Sequence, residues 1–590
     1  LGKNSRIDAG EISYAEKDGA VVDIASNGDK SAEMRRIRGN DITMIFQEPM
    51  TAISSFYTIG NQIIEAVLQH EKISKEEARE RALGVLRAVG MPDPETRLDS
   101  YSFELSGGQR QRAMIAMALV TNPRLLIADE PTTALDVTTQ AVILDLMRDL
   151  QSQFGMSTLF ITHDLGVVSE IADEVVVMYL GEVVERGPVE QIFKSPRHPY
   201  TRALISAAPH YGGNGNARLP VIPGMVPSLQ ERPQGCPFFS RCSYAKSGLC
   251  DTNPPEMDKG RTDVRCHLGA AGVPEEFEVD ESAADLRDTG ARDIPTGEPV
   301  LVVEDVSKRF EKRSGVFRRT ATVTRAVSDV SFELHQGETL GLVGESGCGK
   351  STLGHSIAGL LDPSDGRVMM SSGGPLHEVS HLPETERRDM WQHMRFVFQD
   401  PFASLNPRMT VFELISEPLR VGPARITDRK ALRERVYDVM DRVGIDSGFA
   451  NRYPHAFSGG QRQRIGIARA LAPSPKILIA DEPVSALDVS VQAQILNLFQ
   501  DLQEEFGLTY LFVSHDLNVV SNISDRVAVM YAGRIVELAA TDQIYHHPRH
   551  PYTSALLGAV LTPEYSKVKV TRDPLQGQPP NPANLPPGCP

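Results

Sequence analysis

The sequence of 590 residues has no long apolar run, few cysteines and no excess of basic residues. No stretch approaches the roughly 18 consecutive apolar residues that suggest a membrane span, so any role at a membrane requires a partner. The net charge of −16 disfavours a nucleic-acid partner, because phosphate backbones are bound by clustered Lys and Arg. Six cysteines in so long a chain give no disulfide scaffold.

The sequence does contain an internal repeat, in which one set of motifs occurs twice. Gln47, Ser106, Asp129, His163 and His198 recur as the same residue types at 399, 458, 481, 515 and 550, always 352 positions later. The longer matches are FQEP with FQDP, LSGGQRQR with FSGGQRQR, ADEPTTALD with ADEPVSALD, THDL with SHDL, and two copies of RHPYT. The chain is therefore a tandem duplication, and its length agrees with two or more domains.

A glycine-rich loop between a strand and a helix is the strongest motif of the second copy. TLGLV at 339–343 predicts a buried parallel strand, GESGCGKST follows at 344–352, and LGHSIAGLL predicts a helix. This is the phosphate-loop pattern in its required context, with backbone N–H groups and a helix N-terminus facing phosphate. We expect Lys350 to reach the β and γ phosphates of ATP and Ser351 to ligate Mg²⁺. The other expected ATP contacts of the loop are Gly344, Glu345, Ser346, Gly347, Cys348, Gly349 and Thr352.

Two carboxylates end a predicted buried strand in each copy, RLLIADE at 124–130 and KILIADE at 476–482. The first carboxylate, Asp129 or Asp481, is expected to hold Mg²⁺ through its coordination shell. The second, Glu130 or Glu482, is expected to be the general base that polarises the attacking water.

These motifs resemble those of the ATP-binding cassette (ABC) family of ATPases, and the resemblance covers nearly the whole chain. It implies an α/β fold of two P-loop cassettes, each with a RecA-like core, an antiparallel β subdomain and a helical subdomain, plus a small Cys-rich appendage. It also implies that the signature motifs bind the γ phosphate of ATP held by the opposite cassette. The signature residues are Ser106, Gly107, Gly108 and Gln109, and Ser458, Gly459, Gly460 and Gln461.

The resemblance assigns three further pairs of residues and one aromatic. The first pair is the Q-loop glutamines Gln47 and Gln399, which sense the γ phosphate and Mg²⁺. The second is the switch histidines His163 and His515, which contact the γ phosphate, and the third is the D-loop aspartates Asp136 and Asp488, which link the sites. Phe310 is a candidate platform for adenine.

We expect five regions along the chain. They are a first cassette at 1–210, a Cys-rich appendage at 211–268, an acidic linker at 269–298, a second cassette at 299–562, and the start of a second appendage at 563–590, where Cys589 corresponds to Cys236. Subtracting 352 from the loop at 344–352 gives positions −8 to 0. The first cassette is thus expected to be missing its first strand, its phosphate loop and part of the next helix, with natural loss of the loop left open.

Within the family, FQDPFASLNP and the RHPYT segments resemble oligopeptide, dipeptide and nickel importer ATPases. This implies two integral-membrane permease subunits, an external substrate-binding protein, a peripheral place on the cytoplasmic face of the cell membrane, and no nucleic acid. We expect uptake of oligopeptides or dipeptides driven by ATP hydrolysis. A soluble twin-cassette ATPase acting on ribosomes, and an importer of nickel or another small solute, stay open as alternatives.

Four cysteines crowd into the appendage at Cys236, Cys242, Cys250 and Cys266, spaced C-x5-C-x7-C-x15-C. Four thiolates can hold a [4Fe–4S] cluster or a Zn²⁺ ion. The spacing lacks the tight knuckles of zinc ribbons, which favours the cluster. Zinc, free thiols and disulfides stay open.

Overall fold

A computed structural model describes most of the chain, in two compact units. The described residues are 7–16, 19–28, 31–47, 52–132, 135–209, 218–227, 232–269, 297–314, 320–421, 425–485, 487–566, 580, 583, 586 and 588. The expected acidic linker, apart from its two ends, and Cys589 lie outside them. The first unit comprises Leu1–Leu135 and Thr139–His163, and the second comprises Asp136–Thr138 and Asp164–Pro590. The first unit thus ends well before position 210, where the motifs placed the end of the first cassette.

The first unit contains a three-stranded parallel sheet in the order Ile42–Ile45, Leu125–Asp129, Ser157–Ile161. A separate antiparallel pair joins Ser13–Ala15 to Val21–Asp23. The helices are Ala32–Ile37, Ile59–Leu68, Lys75–Ala88, Pro94–Leu98, Gly107–Leu119 and Val137–Phe154.

Helical periodicity explains how the helices of the first unit pack. Ile59, Ile63 and Val67 are four residues apart and fully buried, which places them on one face of their helix. Ser74 begins the next helix with a capping box in which Glu77 returns the hydrogen bond, so backbone N–H groups at the helix start are satisfied.

The second unit is built on a six-stranded sheet. Its order is Met394–Val397, Ile477–Asp481, Thr509–Val513, Thr339–Val343, Arg526–Tyr531, Arg534–Ala540. All neighbouring pairs are parallel except the last, which is antiparallel. Three strands, TLGLV, ILIAD and TYLFV, are buried at every position, as expected for parallel strands covered on both faces.

An antiparallel sheet and a set of helices complete the second cassette. The sheet has the order Thr320–His335, Pro299–Ser314, Asp365–Met370, His377–Glu378. The helices are Lys350–Ile357, Glu384–His393, Pro401–Ser404, Val411–Arg420, Arg429–Arg442, Gly459–Leu471, Val489–Phe506, Leu517–Ile523, Thr541–His546 and Pro551–Gly558. A parallel core, an antiparallel sheet and a group of helices are the three parts that the sequence predicted for a cassette.

The appendage shares a sheet with the end of the first cassette. Its order is Glu174–Tyr179, Glu182–Pro188, Asp263–Arg265, Met257–Asp258. Three further helices are Leu165–Ile171, Val189–Lys194 and Pro199–Ser206.

A reciprocal amide contact ties the appendage to the second cassette. Asn497 accepts from the Leu219 N–H at 3.0 Å and donates to the Leu219 carbonyl at 2.8 Å, and Gln494 donates to the Ile222 carbonyl at 2.9 Å. Across the described part of the chain, no helix has the length and apolar character that crossing a membrane requires.

Candidate functional site

The loop at 344–352 is folded tightly between the strand Thr339–Val343 and the helix Lys350–Ile357. Gly344 and Gly349 have φ of 150° and 111°. A Cβ at these two glycines would lie 2.2 Å from the Met530 carbonyl oxygen and 2.1 Å from that of Ala326, respectively. Only glycine therefore fits these two positions.

The lysine of the loop is buried and bonded to the loop itself. Lys350 Nζ donates to the carbonyl oxygens of Gly344 at 2.7 Å and Glu345 at 2.9 Å. Ser351 Oγ donates to Asp481 Oδ1 at 3.2 Å, across from the strand end. Burial raises the pKa of the Asp481 carboxyl. A hydroxyl beside a carboxylate is the oxygen pair that Mg²⁺ takes in phosphoryl-transfer sites, so the residues present fit that ion.

Glu482 lies at the centre of three predicted residues. Gln399 Nε2 donates to Glu482 Oε2 at 2.6 Å, and His515 Nδ1 lies 3.0 Å from Glu482 Oε1. Glu482 has φ of 46°, which is uncommon for a residue with a side chain and costs about 1–3 kcal/mol. Its N–H donates to the Val513 carbonyl at 2.8 Å, so the backbone of the next strand holds the strained turn.

The first half builds the same arrangement around Glu130. Gln47 Nε2 donates to Glu130 Oε2 at 2.8 Å, and His163 Nδ1 lies 3.0 Å from Glu130 Oε1. Glu130 also has φ of 46°. Asp129, at the end of its strand, is partly buried. Gln, Glu and His are thus brought together at matching positions in both halves.

Burial and the neighbouring groups shift the pKa values of His515 and Glu482 in opposite directions. Burial lowers the pKa of His515, but the hydrogen bond and the charge of Glu482, with Asp516, outweigh it and raise that pKa above its ordinary value. Burial raises the pKa of Glu482, yet His515, Lys350 and Gln399 together bring it below its ordinary value. Both shifts favour the charged forms, the imidazolium of His515 and the carboxylate of Glu482.

Each signature motif begins a 13-residue helix. Ser106 accepts from the Gln109 N–H at 3.3 Å and Gln109 Oε1 accepts from the Ser106 N–H at 3.1 Å. Ser458 and Gln461 form the same capping box at 3.4 and 3.0 Å. The box leaves the N–H groups of the two glycines directed along the helix start, where anions bind. The glycines are Gly107 and Gly108 in the first half and Gly459 and Gly460 in the second.

The D-loop aspartates also match between halves. Ser490 Oγ donates to Asp488 Oδ2 at 2.8 Å, and Thr138 Oγ1 lies 2.8 Å from Asp136 Oδ1. Phe310 lies on the strand Pro299–Ser314, 42% exposed, with Lys308 Nζ 5.5 Å from its ring centroid. An exposed ring of this kind is free to stack.

The four cysteines of the appendage line one cavity of about 30 Å³. All four are free thiols, and burial raises the pKa of Cys236 to about 11 and of Cys242 to about 12. Within the described ranges, however, no group of three or more His, Cys, Asp or Glu side chains is arranged to hold a metal ion. The donor set suits a metal, but the positions of the thiols do not support the predicted cluster.

Sequence reasoning missed a cavity beside the Q-loop. A space of about 340 Å³ is lined by Trp391, Arg395, Phe398, Glu417 and Arg469, among others. Among the described residues, Arg395 Nε has no hydrogen-bond partner. Burial, with the charge of Arg469, lowers the pKa of Arg395 to about 10. Arg395 and Arg469 are neighbours in space but far apart in the sequence, so no local sequence pattern predicts this cavity.

Comparison with known proteins places these motifs in one family. The model of the ABC transporter family matches residues 3–133 and 327–485. A second family, the oligopeptide/dipeptide transporter C-terminal region, matches residues 184–250 and 536–590. Both matches occur once in each half, as the duplication requires.

Full-length relatives match along nearly the whole chain. The oligopeptide transport ATP-binding protein OppD of Mycobacterium tuberculosis is 47% identical over 90% of this chain and 86% of its own length. The glutathione import ATP-binding protein GsiA of Escherichia coli K12 is 45% identical over 92% of this chain and 78% of its own length. GsiA of Shigella flexneri is 46% identical over the same shares. The expectations for family, fold and ATPase activity are therefore confirmed: this chain belongs to the ABC transporter family, as an ATP-hydrolysing subunit with two cassettes, each followed by an oligopeptide/dipeptide transporter C-terminal region.

Proposed function

We propose that the chain is the motor of an importer that takes up oligopeptides or dipeptides, glutathione-like peptides included. The observation that carries this is the C-terminal region match in both halves, because cassette motifs alone do not distinguish the branches of the family. Relatives named for oligopeptide transport and glutathione import support it. Importers of nickel or another small solute, and ribosome-acting ATPases, are the alternatives for the experiment below.

The roles of the site residues follow from their positions. Lys350 leaves the two loop carbonyls and takes the β and γ phosphates when ATP enters the loop. Ser351 and Asp481 hold Mg²⁺, which neutralises charge on the phosphates. Glu482 polarises the attacking water, while His515 and Gln399 orient the Glu482 carboxylate. Glu130, His163, Gln47 and Asp129 take the same roles in the first half.

Two composite sites couple hydrolysis to movement in this proposal. In this proposal each signature motif, Ser106–Gln109 in the first half and Ser458–Gln461 in the second, binds the γ phosphate of an ATP molecule. Asp136 and Asp488 link the two. Each γ phosphate favours the closed state because it contacts both cassettes, and hydrolysis removes that preference.

The cavity beside Gln399 is our candidate for permease docking. It lies next to the Q-loop, its walls are largely apolar, and Arg395, whose Nε has no hydrogen-bond partner among the described residues, suits a carboxylate of the partner, whereas Arg469 is already paired with Glu417. Two integral-membrane permease subunits would occupy the two halves, with an external substrate-binding protein delivering peptide. The chain would then be peripheral on the cytoplasmic face of the membrane.

For the appendage we propose a metal group held by Cys236, Cys242, Cys250 and Cys266, a [4Fe–4S] cluster first and Zn²⁺ second. The number and the chemistry of the four free thiols support it, and binding of the metal would have to draw them together, because in this structure they are not arranged to ligate an ion. The test is the iron, sulfide and zinc content of the full-length protein purified without oxygen. Equal iron and sulfide would show a cluster, zinc alone would show an ion, and neither metal would overturn the proposal.

The main experiment is uptake of a labelled short peptide by cells expressing the full-length chain with its permease. Glu482→Gln should abolish uptake while the complex still assembles and binds ATP. The matched control is Glu505→Gln, an exposed glutamate of the same half whose ion pair with Arg442 lies on the surface. Normal peptide uptake in cells with Glu482→Gln, when the ATPase activity of the chain is lost, would contradict the proposal of peptide import. Nickel uptake, and then association with ribosomes, would be measured next.

A further inference from the structure

Tyr552, from the second RHPYT segment, reaches the phosphate loop of its own half. Its hydroxyl accepts a hydrogen bond from the Glu345 backbone N–H at 3.1 Å. Its ring packs on Tyr531 with centroids 4.5 Å apart, and only 5% of the residue is exposed. The segment that distinguishes this branch of the family therefore touches the ATP site directly.

A carboxylate on the neighbouring strand sets the position of this tyrosine. Glu537 accepts hydrogen bonds from the Arg549 and His550 N–H groups at 2.8 and 3.0 Å. His550 Nδ1 accepts from the Tyr552 N–H at 3.2 Å and begins the helix Pro551–Gly558. These hydrogen bonds fix the backbone of the turn, so the Tyr552 hydroxyl is already positioned beside the Glu345 N–H.

The first half builds the same turn. Glu185 accepts from the Arg197 and His198 N–H groups at 2.8 and 3.0 Å, and His198 Nδ1 accepts from the Tyr200 N–H at 3.0 Å. Tyr200 is close enough to Asp488 for that charge, after burial, to raise its pKa to about 12. Burial, followed by the charges of Glu345 and Cys348 and least by that of Asp136, also raises the pKa of Tyr552. Both tyrosines thus lie near a D-loop aspartate.

The Glu345 side chain extends the contact to Asp136–Thr138, which belong to the same compact unit. Glu345 Oε1 is hydrogen-bonded to Thr138 Oγ1, which is also bonded to Asp136 Oδ1. A threonine hydroxyl has one proton and cannot donate to two carboxylates. Burial raises the pKa of Glu345, which is 6% exposed, and this favours a protonated Glu345 that donates to Thr138.

Lys350 connects this network to the nucleotide. Its Nζ bonds the Glu345 carbonyl at 2.9 Å, so Glu345 is held at its N–H, its carbonyl and its side chain. Binding of a phosphate would draw Lys350 away and release one of the three. A change in the contacts of the phosphate loop would therefore change the hydrogen bond between Glu345 and Thr138.

We propose that Tyr552 and Glu345 are positioning residues: Tyr552 clamps the first turn of the phosphate loop, and Glu345 links that turn to Asp136–Thr138 of the other cassette's D-loop. The proposal rests on the ATPase function above, but it does not require that the cargo is a peptide. It gives the RHPYT segment a role in ATP binding.

The first test compares two buried tyrosine hydroxyls in steady-state ATP hydrolysis by the full-length chain. Tyr552→Phe removes the hydroxyl that holds Glu345 and should raise the half-saturating ATP concentration about three- to tenfold, as for loss of one hydrogen bond, with a smaller change in the saturated rate. Tyr545→Phe is the control, because its hydroxyl bonds the Leu517 carbonyl away from the loop. Equal half-saturation in the two variants would overturn the clamp.

The second test examines the link to Thr138 by a double-mutant cycle. Glu345→Ala and Thr138→Val should each lower the rate, and the double variant should lose no more than the worse single one, because all three break one contact. Glu345→Gln should lose less than Glu345→Ala, since the amide can donate to Thr138 as a protonated carboxyl does. Additive losses would overturn the link.

The two readouts separate this proposal from the proposed function. A wild-type chain that hydrolyses ATP without peptide uptake would contradict peptide import and leave both tests valid. Normal uptake in wild type, with Tyr552→Phe unchanged in half-saturation, would contradict the clamp alone.

Discussion

The second half has one continuous sheet of six strands, whereas the corresponding strands of the first half lie in two separate sheets. In the second half Thr339–Val343 lies between Thr509–Val513 and Arg526–Tyr531 and pairs with both. In the first half, no described strand pairs with both Ser157–Ile161 and Glu174–Tyr179. The division between the two compact units falls between these strands, at His163 and Asp164.

In these matching strands, the burial of a side chain depends on strand pairing and not on residue type. In the second half, Leu511, Val513, Ala528 and Met530 are fully buried. Their counterparts in the first half are Leu159, Ile161, Val176 and Met178, exposed by 52, 44, 49 and 57%. A central strand and the helix after it therefore supply most of the burial of its neighbours. The Gln–Glu–His arrangement, by contrast, is the same in both halves, because both halves contain the strand and turn that carry the glutamate.

Loss of the catalytic base is the largest effect we predict. Glu482→Gln should lower steady-state ATP hydrolysis by about 10²- to 10⁴-fold, the usual value of a positioned base. Since the two triads have matching distances, Glu130→Gln in the full-length chain should lower it by the same order. A near-normal rate for Glu130→Gln alone would break the equivalence of the halves.

A matched pair of leucines tests the difference in burial. Leu511→Ala should lower the free energy of unfolding by about 2–5 kcal/mol, because it opens a cavity in a closed core. Leu159→Ala should cost less than about 1 kcal/mol in the described structure. The measurement is denaturant unfolding of each variant, and a large loss at Leu159 would mean that this face is covered in solution.

The two signature serines should have equal effects. Ser106→Ala and Ser458→Ala each remove one capping box and should each cost about 1 kcal/mol of stability. Thermal unfolding measures both, with Ser106→Asn and Ser458→Asn as conservative controls that keep a cap. Clearly unequal losses would show that one helix start has a partner that its twin lacks.

The smallest effect concerns pH. The pKa of His515 is raised in the folded protein, so its contribution to stability is complete below about pH 6.5 and is lost as pH rises through the pKa of the folded state. The pKa of Glu482 is lowered, so its contribution to stability is lost as pH falls through a pKa below about 4.5. The stabilisation by His515, measured as the Tm difference between wild type and His515→Ala, should therefore shrink from pH 6 to pH 9. The corresponding difference for His163→Ala should be smaller throughout, because His163 is 39% exposed against 23% for His515.

Local motifs allowed the site to be predicted before the fold. The offset of 352 named Glu130, Glu482 and both histidines because each sits in a short pattern with its own backbone chemistry. The arrangement of sheets and helices in a cassette followed from the family resemblance. The four cysteines were predicted as metal ligands from their number and spacing, but their distances depend on how two long loops close, and the structure does not bring them into a ligating arrangement.

The sequence by itself determined the duplication, the phosphate loop, the paired carboxylates and the signature helices, because each depends on residues adjacent in the chain or on a repeated pattern. Only the tertiary structure decided that Tyr552 bonds Glu345, that Asn497 holds the appendage, and that Leu159 is exposed while Leu511 is buried. Those contacts join residues far apart in the chain or depend on a neighbouring strand. Their formation is governed by packing, which no local pattern encodes.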